Sequence, residues 1–178
     1  MASQSVLYSV GPSAFTMAAT ALANGSIRVG TVIVNTSNLV LDLSISMTFT
    51  TGAAVSVGDG YMLLATSDGN GTPIYSFPAT GTDATFTALT GGMLSEMMGT
   101  LRYGDQVPGT GLVFLQKIPA NGVAAGTLVS GPPISVAQAI GGNIPYGGVA
   151  PALLNLTGQA LSATATITTY TGIKYTIA

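Results

Sequence analysis

The chain has no cysteine, no histidine and no tryptophan, and of its 178 residues only four are Lys or Arg and six Asp or Glu. Each shortage closes off a class of function. Without cysteine there are no disulfides, no zinc–thiolate sites and no thiol nucleophile. Without histidine the commonest general base and metal ligand is missing, and with it any Ser–His triad. Tryptophan, the aromatic that carbohydrate sites commonly use as a stacking platform, is absent as well. No apolar run approaches the ~18 residues a membrane-spanning helix needs. The cations Arg28, Arg102, Lys117 and Lys174 are scattered, whereas nucleic-acid binding needs them clustered.

Charge is the scarcest feature: 6% of residues carry it and 47% are hydrophobic, against about 25% charged in ordinary soluble domains. Residues 1–178 make one domain, long enough to bury about 70% of its unfolded surface without staples. A folded monomer of 17.7 kDa should expose about 8,000 Å². That leaves about 800 Å² per charge, which is one partner's share of a standard interface. Uncharged patches large enough to dock another protein are hard to avoid, and a net charge of −2 gives little colloidal protection. The composition points to a component of an assembly.

What is present is β-structure. In "LDLSISMTFT" (41–50), Leu41, Leu43, Ile45, Met47 and Phe49 alternate with Asp42, Ser44, Ser46, Thr48 and Thr50. This is the period of a strand with one apolar face, the other lined by hydroxyls and one carboxylate. Further strands are expected at "IRVGTVIV" (27–34), "YMLLAT" (61–66), "GLVFLQKI" (111–118), "GTLVS" (126–130) and "TGIKYTI" (171–177), all rich in β-branched and aromatic residues. Turn signals such as Asn24-Gly25, Gly58-Asp59-Gly60 and Asn121-Gly122 recur every ten to fifteen residues. Many short strands with even turn spacing predict an all-β fold, an antiparallel, jelly-roll-like β-sandwich. "SAFTMAATALANG" (13–25) admits a helix but alternates, so strand is favoured. "GGMLSEMMGTL" (91–101) has helical spacing and predicts a short helical cap near 93–101. Its methionines suit core or interface packing. The chain also resembles itself. Residues 35–52 align without gaps on 155–172, which predicts two strands burying the same parity of residues.

Chemistry is sparse. The acids Asp42, Asp59, Asp68, Asp83, Glu96 and Asp105 include no motif; two could converge as a glycosidase pair, but most lie in or beside turns, where Asp accepts backbone hydrogen bonds. "SDGNGT" (67–72) looks like a calcium loop, but a third ligand in register and a distal Glu are missing, so a tight turn is the expectation and ion binding at Asp68–Gly71 stays open. No phosphate loop follows the glycines. Sequons at Asn24, Asn35, Asn70 and Asn155 arise readily in a chain rich in Asn, Ser and Thr. Ala21-Leu22-Ala23 could pass for a signal-peptidase site, yet no cation precedes it, and the segment reads as mature protein. The expectation is a non-enzyme with no cofactor and no metal.

"ALANGSIRVGTVIVNTSNLVLDLSISMTFTTG", "YMLLATSDGNGTPIYSF" and the closing "LLNLTGQALSATATITTYTGIKY" resemble small β-sandwich structural proteins of tailed bacteriophage particles, among them capsid decoration (cement) proteins. The resemblance spans residues 20–80 and 150–175. It implies a homotrimer on the capsid exterior, bound to the major capsid protein, with no membrane or nucleic-acid partner. Low charge fits such a life, because hydroxyl-lined strands can meet a neighbouring subunit without the desolvation penalty of buried charges. Candidate interface residues are Met93, Met97 and Met98 in the methionine cluster and Tyr146 in the Gly-rich stretch 141–148. Alternatives are a phage tail, fibre or head–tail connector component, and a carbohydrate- or calcium-binding β-sandwich module.

Overall fold

A computed structural model of the chain describes residues 12–17, 20–32, 40–66, 83–85, 97–108, 110–142, 144, 147–162 and 166–174. The fold is all-β: among the described residues helix is confined to 97–100 and 136–139, far below the helix content of an average globular protein. Eleven strands are described: β1 (Pro12–Met17), β2 (Ser26–Val29), β3 (Val40–Thr50), β4 (Asp59–Thr66), β5 (Asp83–Thr85), β6 (Gln106–Val107), β7 (Leu112–Pro119), β8 (Leu128–Ser130), β9 (Ile134–Ser135), β10 (Val149–Leu156) and β11 (Thr166–Lys174). They form two antiparallel sheets. One runs β1-β11-β3-β8 with β9 also on β3; the other, six-stranded, runs β5-β2-β10-β4-β7-β6.

The alternation in β3 plays out as expected. Leu43, Ile45, Met47 and Phe49 are buried, and Asp42, Ser44, Ser46, Thr48 and Thr50 are half-buried. The apolar face meets Met62 and Leu64 of β4, Val113 and Leu115 of β7, and Val149 and Leu153 of β10. This is the sandwich core, two sheets closed over interleaved side chains. The strand is central, with β11 on one side and β8 and β9 on the other.

The six-stranded sheet is buried on its second face too. Ile27, Val29, Tyr61, Leu63, Ala65, Leu112, Phe114, Ala150, Ala152 and Leu154 form a separate cluster there with Val107 and Met98. Burial on both faces explains why "YMLLA" and "VAPALLNL" are near-continuous apolar runs without period 2. Pro151 sits inside β10 at no cost to the ladder. Its carbonyl accepts from Gly30 N–H at 2.8 Å, so its missing N–H faces the side on which β2 ends at Val29.

Several expectations change in detail. The strand expected at 27–34 stops at Val29, and β10 runs through a stretch that shows no alternation. The self-similar segments do meet: β3 and β11 are hydrogen-bonded antiparallel neighbours, with Met47 opposite Thr168 and Ile45 opposite Tyr170. That register sets even-numbered positions of β11 across from the odd, buried positions of β3. The same parity expected from the alignment is therefore not the one the pairing makes, because antiparallel register is fixed by ladder offset and not by sequence likeness. "SAFTMAATALANG" begins as β1 and ends in a turn. The expected helical cap appears as helical residues 97–100, and a second one-turn helix, Val136–Ala139, was not foreseen.

Candidate interaction surface

At one end of the sandwich, four connections come together: residues 20–25 before β2, 51–58 between β3 and β4, 120–127 between β7 and β8, and 157–162 after β10. None contains Asp, Glu, Lys or Arg. The connection 51–58 is the centre. On one flank, Thr51 N–H donates to Thr127 O at 3.1 Å, Gly126 N–H to Thr51 O at 2.9 Å, and Val55 N–H to Val123 O at 2.9 Å. Thr51 Oγ1 donates to Ala124 O at 2.8 Å. On the other flank Thr51 bridges Leu161, and Ser162 N–H donates to Thr50 O at 2.8 Å. Leu161 N–H reaches Leu22 O at 3.0 Å and ties in the fourth connection.

Two glycines permit this approach. A Cβ at Gly58, where φ is +109°, would collide with the carbonyl of Leu156, and one at Gly52 with the carbonyl of Ala160. Only glycine combines that conformation with that proximity.

Asn155 anchors the end from beneath. Its side chain is 1% exposed and makes every bond an amide can. Nδ2 donates to Leu22 O and Gln159 O, both at 2.8 Å. Oδ1 accepts from Thr157 N–H at 3.1 Å and Thr157 Oγ1 at 2.8 Å. The Asn155 sequon is thus a structural network, closed to glycosylation in the folded chain. Asn24 is exposed and accepts from Gly158 N–H at 2.9 Å. Leu22 is wholly buried in the core, while Ala21 and Ala23 on either side of it are exposed.

Asp42, Asp59 and Asp105 hold backbone N–H groups. Asp59 Oδ1 accepts from Ala120 N–H at 3.0 Å, and Oδ2 pairs with Lys117 Nζ at 2.7 Å. The pair is local, so it neutralises itself just below the loop end. Its hydrogen bond to Asp59 raises the Lys117 pKa above the ordinary value, and burial, followed by the Asp59 charge, raises Tyr61. At the opposite end Asp42 Oδ1 accepts from Leu43 N–H at 2.7 Å and Ala137 N–H at 2.9 Å, while Oδ2 accepts from Ser135 Oγ at 2.7 Å. Ser135 in turn caps the helix Val136–Ala139 through Gln138 N–H, and Tyr103 OH donates to Ser135 O. Burial raises the Tyr103 pKa. Asp105 Oδ2 accepts from Arg102 N–H at 2.7 Å. Among the described residues no group of three or more His, Cys, Asp or Glu could hold a metal ion, and no helix is long and apolar enough to cross a membrane.

The interface candidates read from the sequence separate. Met98 is 1% exposed and packs in the second cluster with Ile27 and Phe114. Of core and interface, core is its role, and it leaves the candidate surface. Met97 is half-buried against the same cluster. Met93 and Tyr146 lie outside the described residues, as do Glu96, the loop at 67–72 with Asp68, and the sequons at Asn35 and Asn70.

The loop end carries what those candidates lacked. Counting Leu128, the first residue of β8 at its edge, eighteen residues are exposed here: four within 20–24, four within 52–57, seven within 121–128 and three within 158–160. Of the large exposed hydrophobics of the described chain, Val57 at 70% lies within the loop end and Leu128 at 66% at its edge. The signal was in the sequence, as four charge-free Gly/Ala/Ser/Thr stretches, but only the topology brings them to one end. No family model, curated protein or solved structure matches the chain.

Proposed function

We propose that this protein is a non-enzymatic structural subunit of a larger particle, one that associates with itself and with its support through uncharged surface. The observation that carries this is the loop end: eighteen exposed residues without a charge, held by backbone hydrogen bonds on both flanks. Interfaces are depleted of charge at their centre, and a surface already rigid loses little further entropy on docking. The accessible area of 8538 Å², shared by ten charges, supports the same reading for the molecule as a whole.

The sequence resemblance gives the proposal its specific form, a decoration protein on the outside of a tailed-phage capsid, in contact with the major capsid protein and assembled as a homotrimer. The test is co-sedimentation of the full chain with undecorated cognate capsids, with labelling to locate it on the intact particle. Binding to the shell supports decoration. Label confined to the tail or connector would assign it to those parts instead, and no association with any particle component would overturn the reading.

A further inference from the structure

We infer that the loop end built from 20–25, 51–58, 120–127 and 157–162 is the self-contact, and that the occupant facing it is a second copy of this chain. The inference rests on the proposed self-association and assigns it a surface. Three observations carry it.

The first is size. Eighteen exposed residues approach the roughly 20–30 per side of a standard protein–protein interface. The second is chemistry. A partner bringing a charged patch would bury those charges against loops that hold no counter-charge, at a penalty that close contact does not return. The occupant must be nearly charge-free over a comparable area, and this chain presents such a surface itself. The third is where the apolar side chains stand. Val57 and Leu128 are both at this end, and Leu128 lies opposite Thr50 in the β3–β8 ladder. There it stands where the loop end meets the hydroxyl-bearing face of the sheet. Burying two such side chains against copies of themselves is favourable, and the polar groups around them are hydroxyls, amides and backbone that can hydrogen-bond across the contact.

The experiment is sedimentation velocity on the full chain from 1 to 200 µM, for the wild type and for Val57→Lys, Leu128→Lys and Gln138→Lys. Gln138 is exposed on the helix at the opposite end and serves as control. Val57 and Leu128 are exposed, so their variants keep the fold, which far-UV spectra check. The wild type should exceed 17.7 kDa in a concentration-dependent way. Each loop-end lysine should raise the dissociation constant at least tenfold, and Gln138→Lys should leave it unchanged. Association of the wild type that both loop-end lysines leave intact would overturn this inference while sparing self-association. A wild type that stays monomeric would overturn both. Loss of capsid co-sedimentation in Val57→Lys with unchanged solution mass would assign the surface to the shell and overturn the second copy as its occupant.

Discussion

The side-chain amide of Asn155 donates to the carbonyl of Leu22 across 133 residues of chain, at 2.8 Å. Through this bond one buried side chain fastens the connection 20–25 to the end of β10, and its remaining bonds shape the turn at 157–159. Asn155→Ala leaves the buried Thr157 N–H without its partner and takes one bond each from the carbonyls of Leu22 and Gln159, which keep Leu161 N–H and Thr157 Oγ1. An unmet buried donor costs about 1–3 kcal/mol, and a loss of that size should be read as a lower denaturant midpoint at unchanged m-value. Asn155→Asp should also destabilise at pH 7, because it turns an oxygen toward the carbonyls of Leu22 and Gln159.

The two faces of β3 make a sharper pair. Ile45 is fully buried between the sheets, so Ile45→Asp puts a carboxylate without a partner into the core and should prevent folding or cost several kcal/mol. Ser44 is half-buried on the other face, opposite Ser135. Ser44→Asp should cost about 1 kcal/mol or less, with repulsion from Asp42 two residues away as its main term. Thermal unfolding of the two variants checks the register: equal losses would contradict it.

Much of this fold is legible in the chain. β3 is read from strict alternation, because one of its faces meets the core and the other does not. β4 and β7 are read from β-branched and apolar content between turn signals. β10 is not read, since burial on both faces erases the period and Pro151 argues against a central strand. Only the position of Pro151 at the end of β2 resolves that contradiction. The methionine cluster shows the complementary limit. Helical spacing identifies the segment, but nothing in the sequence tells that the second face of the six-stranded sheet needs Met98 to cover it. The loop end is legible as composition and not as a place, because its four parts are joined only by the ladder order.

Alkaline pH should unfold the protein. Lys117, Tyr61 and Tyr103 all have raised folded pKa values, so the folded state holds its protons more tightly than the unfolded state. Their contribution is fully present below the unfolded values near pH 10 and is lost as pH rises through the folded ones. Melting temperature should be flat from pH 7 to 9 and fall above about pH 10. Lys117 is half-exposed, so Lys117→Met should cost no more than about 1 kcal/mol at pH 8. Its difference from the wild type should shrink as pH rises past 10. A difference that grows with alkalinity would contradict the assignment.

The proposed association runs through surface that has almost no charge. Exposed ion pairs contribute only about 0–1 kcal/mol and are screened by salt, while apolar burial and hydrogen bonds to backbone and hydroxyls are weakened little. Sedimentation equilibrium at 50 mM and 500 mM NaCl measures the self-association constant on which this turns. A species heavier than 17.7 kDa is expected at both, with a constant that changes by less than about tenfold, or about 1.4 kcal/mol. A single 17.7 kDa species at both concentrations, or an association that collapses with added salt, would refute the proposal.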